Sequence, residues 1–200
     1  MMVIGLTGSI GMGKTTVGGF FERLGAPVHC ADKVVGRALA PYGGAFETVA
    51  LAFPSCWDKK NHVIDKQKLA ALIYNDDDAR EKLEAILHPV VRADQDAFVF
   101  KQKRLGREAC VLDIPLLFET GAEERVDKTV VVSAPCAIQR QRVLARPGMT
   151  VDRFAQILRT QMPDAQKRAL ALHNGGAVID TGLGKAHSFK QVKTLLKQWV

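Results

Sequence analysis

VIGLTGSIGMGKTT, residues 3–16, decides how the rest of the chain is read. Residues 3–7 are apolar and rich in strand formers, residues 8–13 are rich in glycine, and an amphipathic segment follows from 14 to 24 and stops at Gly25. This reads as a buried strand, a tight turn and a helix. Residues 8–15, GSIGMGKT, fit G-x-x-x-x-G-K-[ST] without mismatch. Gly8, Gly11 and Gly13 let the backbone turn tightly and aim its N–H groups at a phosphate. The positive end of the following helix adds to that attraction. Lys14 reaches the outer phosphates, and the Thr15 hydroxyl is expected to ligate Mg²⁺ directly. Thr16 is placed near the α-phosphate. The expected nucleotide cradle is therefore Gly8, Gly11, Met12, Gly13, Lys14, Thr15 and Thr16.

Four further strands are expected at residues 27–30, 108–113 (EACVLD), 129–133 (TVVVS) and 177–180 (AVID). Each is nearly all apolar, as strands buried on both faces of a parallel sheet are. Helical stretches separate them, so the class is α/β with a doubly wound five-stranded sheet. Two stretches exceed what a compact sheet needs. Between the second and third strands, helices are expected at 65–74, 76–87 and 89–105, with Asp65 and Asp76 as caps. Between the fourth and fifth lies a helical stretch, 135–172, holding six arginines: Arg140, Arg142, Arg146, Arg153, Arg159 and Arg168. Such additions suit substrate-binding and lid elements.

A phosphate cradle does not name a reaction, so acids at strand ends matter next. Asp32 follows the second strand. It could accept a proton from an attacking hydroxyl, or cap a helix over residues 33–39. Asp113 ends the third strand, where an acid can hold Mg²⁺ through water or simply begin a turn. The apolar residues 115–118 follow at once. Read as an exposed loop, they would line a substrate pocket, with Leu116 and Phe118 in contact. Arg140, Arg142 and Arg146 fall on consecutive turns of one expected helix, as phosphate clamps or as a solvated face. Arg146-Pro147-Gly148 reads as a helix end and hinge. His88-Pro89 opens a helix, with proline in its first turn.

Composition excludes other classes. The 200 residues are 47% hydrophobic and 24% charged, ordinary for a globular chain. No apolar stretch approaches the roughly 20 residues that span a bilayer, and MMVIGLTG lacks the pattern of a signal peptide. Cys30, Cys56, Cys110 and Cys136 form no metal spacing and read as buried thiols in a reducing cytoplasm. The net charge of +7 is dispersed and aromatics are 6%, which suits anionic small molecules better than nucleic acid. A guanine-reading Asn-Lys-x-Asp segment is missing from the sequence, which argues against a nucleotide switch.

The chain resembles the dephospho-CoA kinase family over nearly its whole length. The resemblance rests on IGLTGSIGMGKTTV, PVHCADKVVGRAL, LEAILHPVV, VLDIPLLFETG, ILRTQMP and VIDTG, in that order. It implies a P-loop kinase running from 1 to 200, with a core of 1–40, 106–138 and 174–200. It further implies a helical CoA-binding insertion at about 41–105 and a lid at about 139–173. ATP and dephospho-CoA would be the substrates, with Mg²⁺, in a cytoplasmic monomer or small homo-oligomer without nucleic-acid or membrane partners. Asp32 would be the base for the ribose 3′-hydroxyl, and Lys14 and Arg142 catalytic. Arg142 and Arg146 would contact ATP. His88, Pro89, Asp113, Leu116 and Phe118 would contact dephospho-CoA, and adenine would lie near Thr181-Gly182. A shikimate- or nucleoside-type kinase is the related alternative. Two positions depart from the family pattern. Cys30 stands where the family's Asp-Ala-Asp has its first acid, and Pro147 follows Arg146 where many relatives have an acid.

Overall fold

The computed structural model describes residues 1–200, apart from the side chain of Asn75. Contacts divide the chain into two compact units, Met1–His29 with Val99–Val200, and Cys30–Phe98.

The first unit is built on a five-stranded sheet. Its strands are β1 (Met2–Thr7), β2 (Val28–Cys30), β5 (Ala109–Asp113), β6 (Lys128–Ser133) and β7 (Ala177–Asp180), in the spatial order β2-β5-β1-β6-β7. The two short strands β3 and β4 belong to the second unit. Parallel register pairs Leu6 with Asp113, Thr7 with Val131 and Ser133 with Asp180, which brings these residues to the carboxyl end of the sheet. Ile4, Leu6, Val111, Val130, Val132 and Ile179 are buried, as the all-apolar strand pattern demands. Helix α1 (Lys14–Arg23) packs on α9 (Lys185–Trp199) through an edge-to-face pair, Phe20 and Phe189, with ring centroids 5.3 Å apart. Gly25 follows α1 at φ 91°, the left-handed turn expected of a helix stop.

The stretch read as 135–172 forms three helices: α6 (Cys136–Leu144), α7 (Val151–Arg159) and α8 (Asp164–His173). The breaks fall at Pro147-Gly148, with Gly148 at φ 71°, and just before Pro163. Arg146 therefore lies beyond α6, so it does not share a helix with Arg140 and Arg142 as the sequence suggests. Residues 115–118 also correct the reading. They are not an exposed loop, because Leu117 and Phe118 are buried and only Leu116 and Pro115 are half-buried. Gly5 makes room for this, since a Cβ there would meet Leu117 Cδ2 at 3.2 Å.

The second unit is helical, with α2 (Ala31–Ala38), α3 (Phe46–Ala52), α4 (Lys66–Asn75) and α5 (Asp77–Arg104), which runs on into the first unit. A two-stranded ribbon, β3 (Trp57–Asp58) and β4 (Val63–Ile64), joins α3 to α4. Phe46, Val49, Phe53, Ile64, Leu69, Leu83 and Leu87 form its core. Asp65 and Asp76 cap as expected: Asp65 Oδ1 accepts from the N–H groups of Gln67 and Lys68 at 3.0 Å, and Asp76 Oδ1 from that of Ala79 at 3.0 Å. The two helices expected on either side of His88 are one. Pro89 sits inside α5 and not in a first turn. An internal proline costs about 3 kcal/mol. Leu83, Leu87 and Val90 pack on the same core from both sides of it and hold the helical register, with Pro89 itself exposed. Asp32 is also corrected. Helix α2 starts at Ala31 with Cys30 in the cap position, and Asp32 lies in the first turn without capping it.

Cys56 and Cys110 are buried and Cys30 is half-buried, but Cys136 is exposed, contrary to the expectation of buried thiols. Burial pushes the Cys110 thiol up to about 11 from 9.0. Its neutral form is thus favoured in the folded chain, and its contribution to stability is intact below pH 9.0 and lost as pH rises towards about 11. In the native protein at pH 8, iodoacetamide should label Cys136 rapidly and leave Cys110 unmodified, as read by peptide mass spectrometry. Equal labelling of the two would contradict this packing.

Candidate active site

Residues 8–15 form the turn between β1 and α1, in the middle of the sheet because β1 is flanked by β5 and β6. Gly8, Gly11 and Gly13 take φ values of 155°, 79° and 95°. Gly11 has a steric reason as well as a conformational one: a Cβ there would lie 2.5 Å from Val143 Cγ2 and 3.1 Å from the Gln139 carbonyl oxygen. The turn is squeezed between β6 and α6, and only glycine fits.

The carbonyls of this turn are satisfied from behind. Ser9 O accepts from Met12 N–H at 3.2 Å, and Gly13 O from Thr16 N–H at 3.0 Å and Val17 N–H at 3.2 Å. Met12 O accepts from Thr181 Oγ1 at 2.6 Å, and Ile10 O from Gln139 Nε2 at 2.8 Å. The amides of Gly11, Gly13, Lys14 and Thr15 have no hydrogen-bond partner among the described residues. Four donors at the N-terminus of a ten-residue helix make an anion site. Met12 turns its side chain inward, where Sδ accepts from Ala134 N–H at 3.2 Å.

Register then brings in the cation and the acid. Asp113 at the tip of β5 pairs with Leu6 of β1, and Lys14 Nζ donates to Asp113 Oδ1 in a mostly buried ion pair. Thr15 is exposed at the head of α1, its hydroxyl available to a ligand. Arg142 is half-buried, and its guanidinium donates to Thr181 Oγ1 at 2.9 Å and to Thr181 O at 2.7 Å. Arg140 and Arg146 are exposed.

The dephospho-CoA kinase family model matches residues 2–179. The chain belongs to the dephospho-CoA kinase family. It is an ATP-dependent kinase by that membership. A dephospho-CoA kinase of Mesorhizobium japonicum is 48% identical over 198 residues, 99% of this chain and 96% of that one. One of Brucella abortus is 49% identical over 86% of this chain and 84% of its own. Among solved structures, one from Thermus thermophilus superposes at a TM-score of 0.83 with 32% identity, covering 100% and 98% of the two chains. A shikimate kinase of Aquifex aeolicus, at TM-score 0.52 and 16% identity over 98% and 97%, shares the fold alone.

Within the first unit the kinase brings together the turn, Lys14, Asp113, Met12 and Arg142. Asp32, His88 and Pro89 belong to the second unit, where Asp32 and Pro89 are exposed and His88 is half-buried. Sequence reasoning missed the polar groups that hold this frame. Lys167 of α8 is completely buried; its Nζ pairs with Glu119 Oε1 at 2.8 Å and donates to Pro115 O at 3.3 Å. Glu119 Oε1 also accepts from Met162 N–H at 2.8 Å. Ser133 donates to Asp164 Oδ2 at 2.8 Å, fixing the start of α8 to the tip of β6. A signal existed for Lys167, and for Gln139: each stands four residues before an apolar residue of its helix, Ala171 and Val143, and so falls on an apolar helix face.

Thr181→Val keeps the shape and the Arg142 bond to the backbone carbonyl, but leaves the Met12 carbonyl without its donor and Arg142 Nη1 without its acceptor. It should destabilise the fold by about 1–3 kcal/mol and raise KM for ATP. Urea midpoints and steady-state kinetics check both. An unchanged KM would mean that Thr181 does not shape the turn.

Proposed function

We propose that the chain transfers the γ-phosphate of ATP to the ribose 3′-hydroxyl of dephospho-CoA, with Asp32 as the base. The observation that carries the reading is the set of four amides without a protein partner at the head of the helix that begins with Lys14, a site for the phosphates of a nucleotide. The family supplies the acceptor. The O–P bond to the 3′-oxygen forms as the bond from the β–γ bridging oxygen to the γ-phosphorus breaks, ADP leaves, and the hydroxyl proton passes to the Asp32 carboxylate. Lys14 leaves Asp113 for the β- and γ-phosphates, and the amides of Gly11, Gly13, Lys14 and Thr15 take up developing charge. Arg142, braced by Thr181, keeps further N–H donors for the phosphates, and Arg146, exposed beyond α6, joins it from the lid.

Residues 139–173 are thus assigned as lid and about 41–105 as the CoA-binding insertion. His88, Pro89, Leu116 and Phe118 are assigned to the CoA portion. The donor set fits Mg²⁺, which takes few protein oxygens in kinase sites: the Thr15 hydroxyl directly and the Asp113 carboxylate through water. When bound with ATP it would neutralise charge on the β- and γ-phosphate oxygens. None of the helices is long and apolar enough to cross a membrane among the described residues. A cytoplasmic monomer or small homo-oligomer suits the reading.

A coupled ADP-release assay tests it, comparing dephospho-CoA, shikimate, adenosine and no acceptor. Release should require dephospho-CoA and fall about a hundredfold or more in Asp32→Asn, the range of general-base catalysis. Equal release with shikimate would discard the acceptor, and an undiminished Asp32→Asn would discard the base.

A further inference from the structure

The backbone is held on both sides of Ile10, through the peptide before it and the peptide after it. Its N–H donates to Gln161 Oε1 at 3.0 Å, and its carbonyl accepts from Gln139 Nε2 at 2.8 Å. The two glutamines come from different places: Gln139 is buried in α6, and Gln161 lies in the connection between α7 and α8. A buried amide is costly unless bonded, and Gln139 Nε2 gives its hydrogen bond to the Ile10 carbonyl. The connection that carries Gln161 is itself braced. The next residue, Met162, gives its N–H to Glu119, which the fully buried Lys167 holds at 2.8 Å. Lys167 and Thr7 both donate to the Pro115 carbonyl, two residues after Asp113. One short joint thus touches both walls of the nucleotide site, the glycine turn through Gln161 and the loop after β5 through Met162.

We propose that Gln161 is a positioning residue for the nucleotide phosphates. It rests on the reading of residues 8–15 as the ATP phosphate site. A turn with three glycines at positive φ is loose by composition. Gln161 fixes the peptide plane before Ile10 and Gln139 the plane after it, which carries the Gly11 N–H; with both planes held, Gly11 and Gly13 face the phosphates before nucleotide arrives. Gln161 accepts the Ile10 N–H and touches no reacting atom. Its loss is therefore expected in binding of the polyphosphate and not in the chemical step.

Gln161→Met removes the acceptor and keeps the side chain's length. Losing one hydrogen bond of ordinary net strength should raise KM for ATP and the inhibition constant of inorganic tripolyphosphate together, by about three- to tenfold. KM for dephospho-CoA and kcat should stay within about twofold, for the same reason. A fall in kcat at unchanged KM for ATP, or a change in KM with tripolyphosphate inhibition unaltered, would overturn the proposal. Hydrogen exchange of the wild-type Ile10 amide without nucleotide gives an independent reading: protection is expected, and exchange as fast as that of Gly11 would overturn it. Failure of the wild-type enzyme to bind ATP or tripolyphosphate would instead remove the parent reading, while Ile10 exchange still reports the contact.

Discussion

The turn at residues 8–15 can aim its amides outward because its carbonyls are satisfied from behind. A backbone has one donor and one acceptor per residue, and a tight turn ordinarily spends both on itself. Here Thr181, at the tip of β7, takes the Met12 carbonyl, and Gln139 of α6 takes that of Ile10. Packing against Val143 and Gln139 then leaves no room for a side chain at Gly11. A phosphate site results from donors that the fold leaves over.

The same frame sets the charge. Because β1 and β5 run parallel with Leu6 opposite Asp113, the acid at the tip of β5 meets the first residue of α1. The pair keeps Lys14 extended at the carboxyl end of the sheet, ready to exchange a carboxylate for a phosphate. Arg142 is held in the same manner by Thr181. Both cations are oriented by oxygen acceptors in the protein, so little side-chain entropy remains to be lost when a polyanion binds.

Much of this was legible in the sequence, and the illegible parts have physical reasons. The five strands of the sheet are apolar runs between turn signals, and the glycine–lysine motif carries its own geometry. Asp65 and Asp76 are readable as caps because a carboxylate before a helix has one dominant local use. Pro89 misleads because local chemistry disfavours it inside a helix, while packing of Leu83, Leu87 and Val90 overrides that preference. Leu117 and Phe118 mislead because an apolar run after a strand reads equally well as a pocket wall or as core. Glu119 and Gln161 are hidden for a different reason: their partners lie far away in sequence, and spacing cannot announce a long-range hydrogen bond.

This chain phosphorylates one particular hydroxyl, and the position of the transferred group on the product identifies it. The chain would be incubated with ATP labelled at the γ-phosphate and with dephospho-CoA, and the labelled product treated with a 3′-nucleotidase. The account predicts that the label co-elutes with CoA and is released by that enzyme. Label in inorganic phosphate alone, or in a product that resists the 3′-nucleotidase, would contradict it.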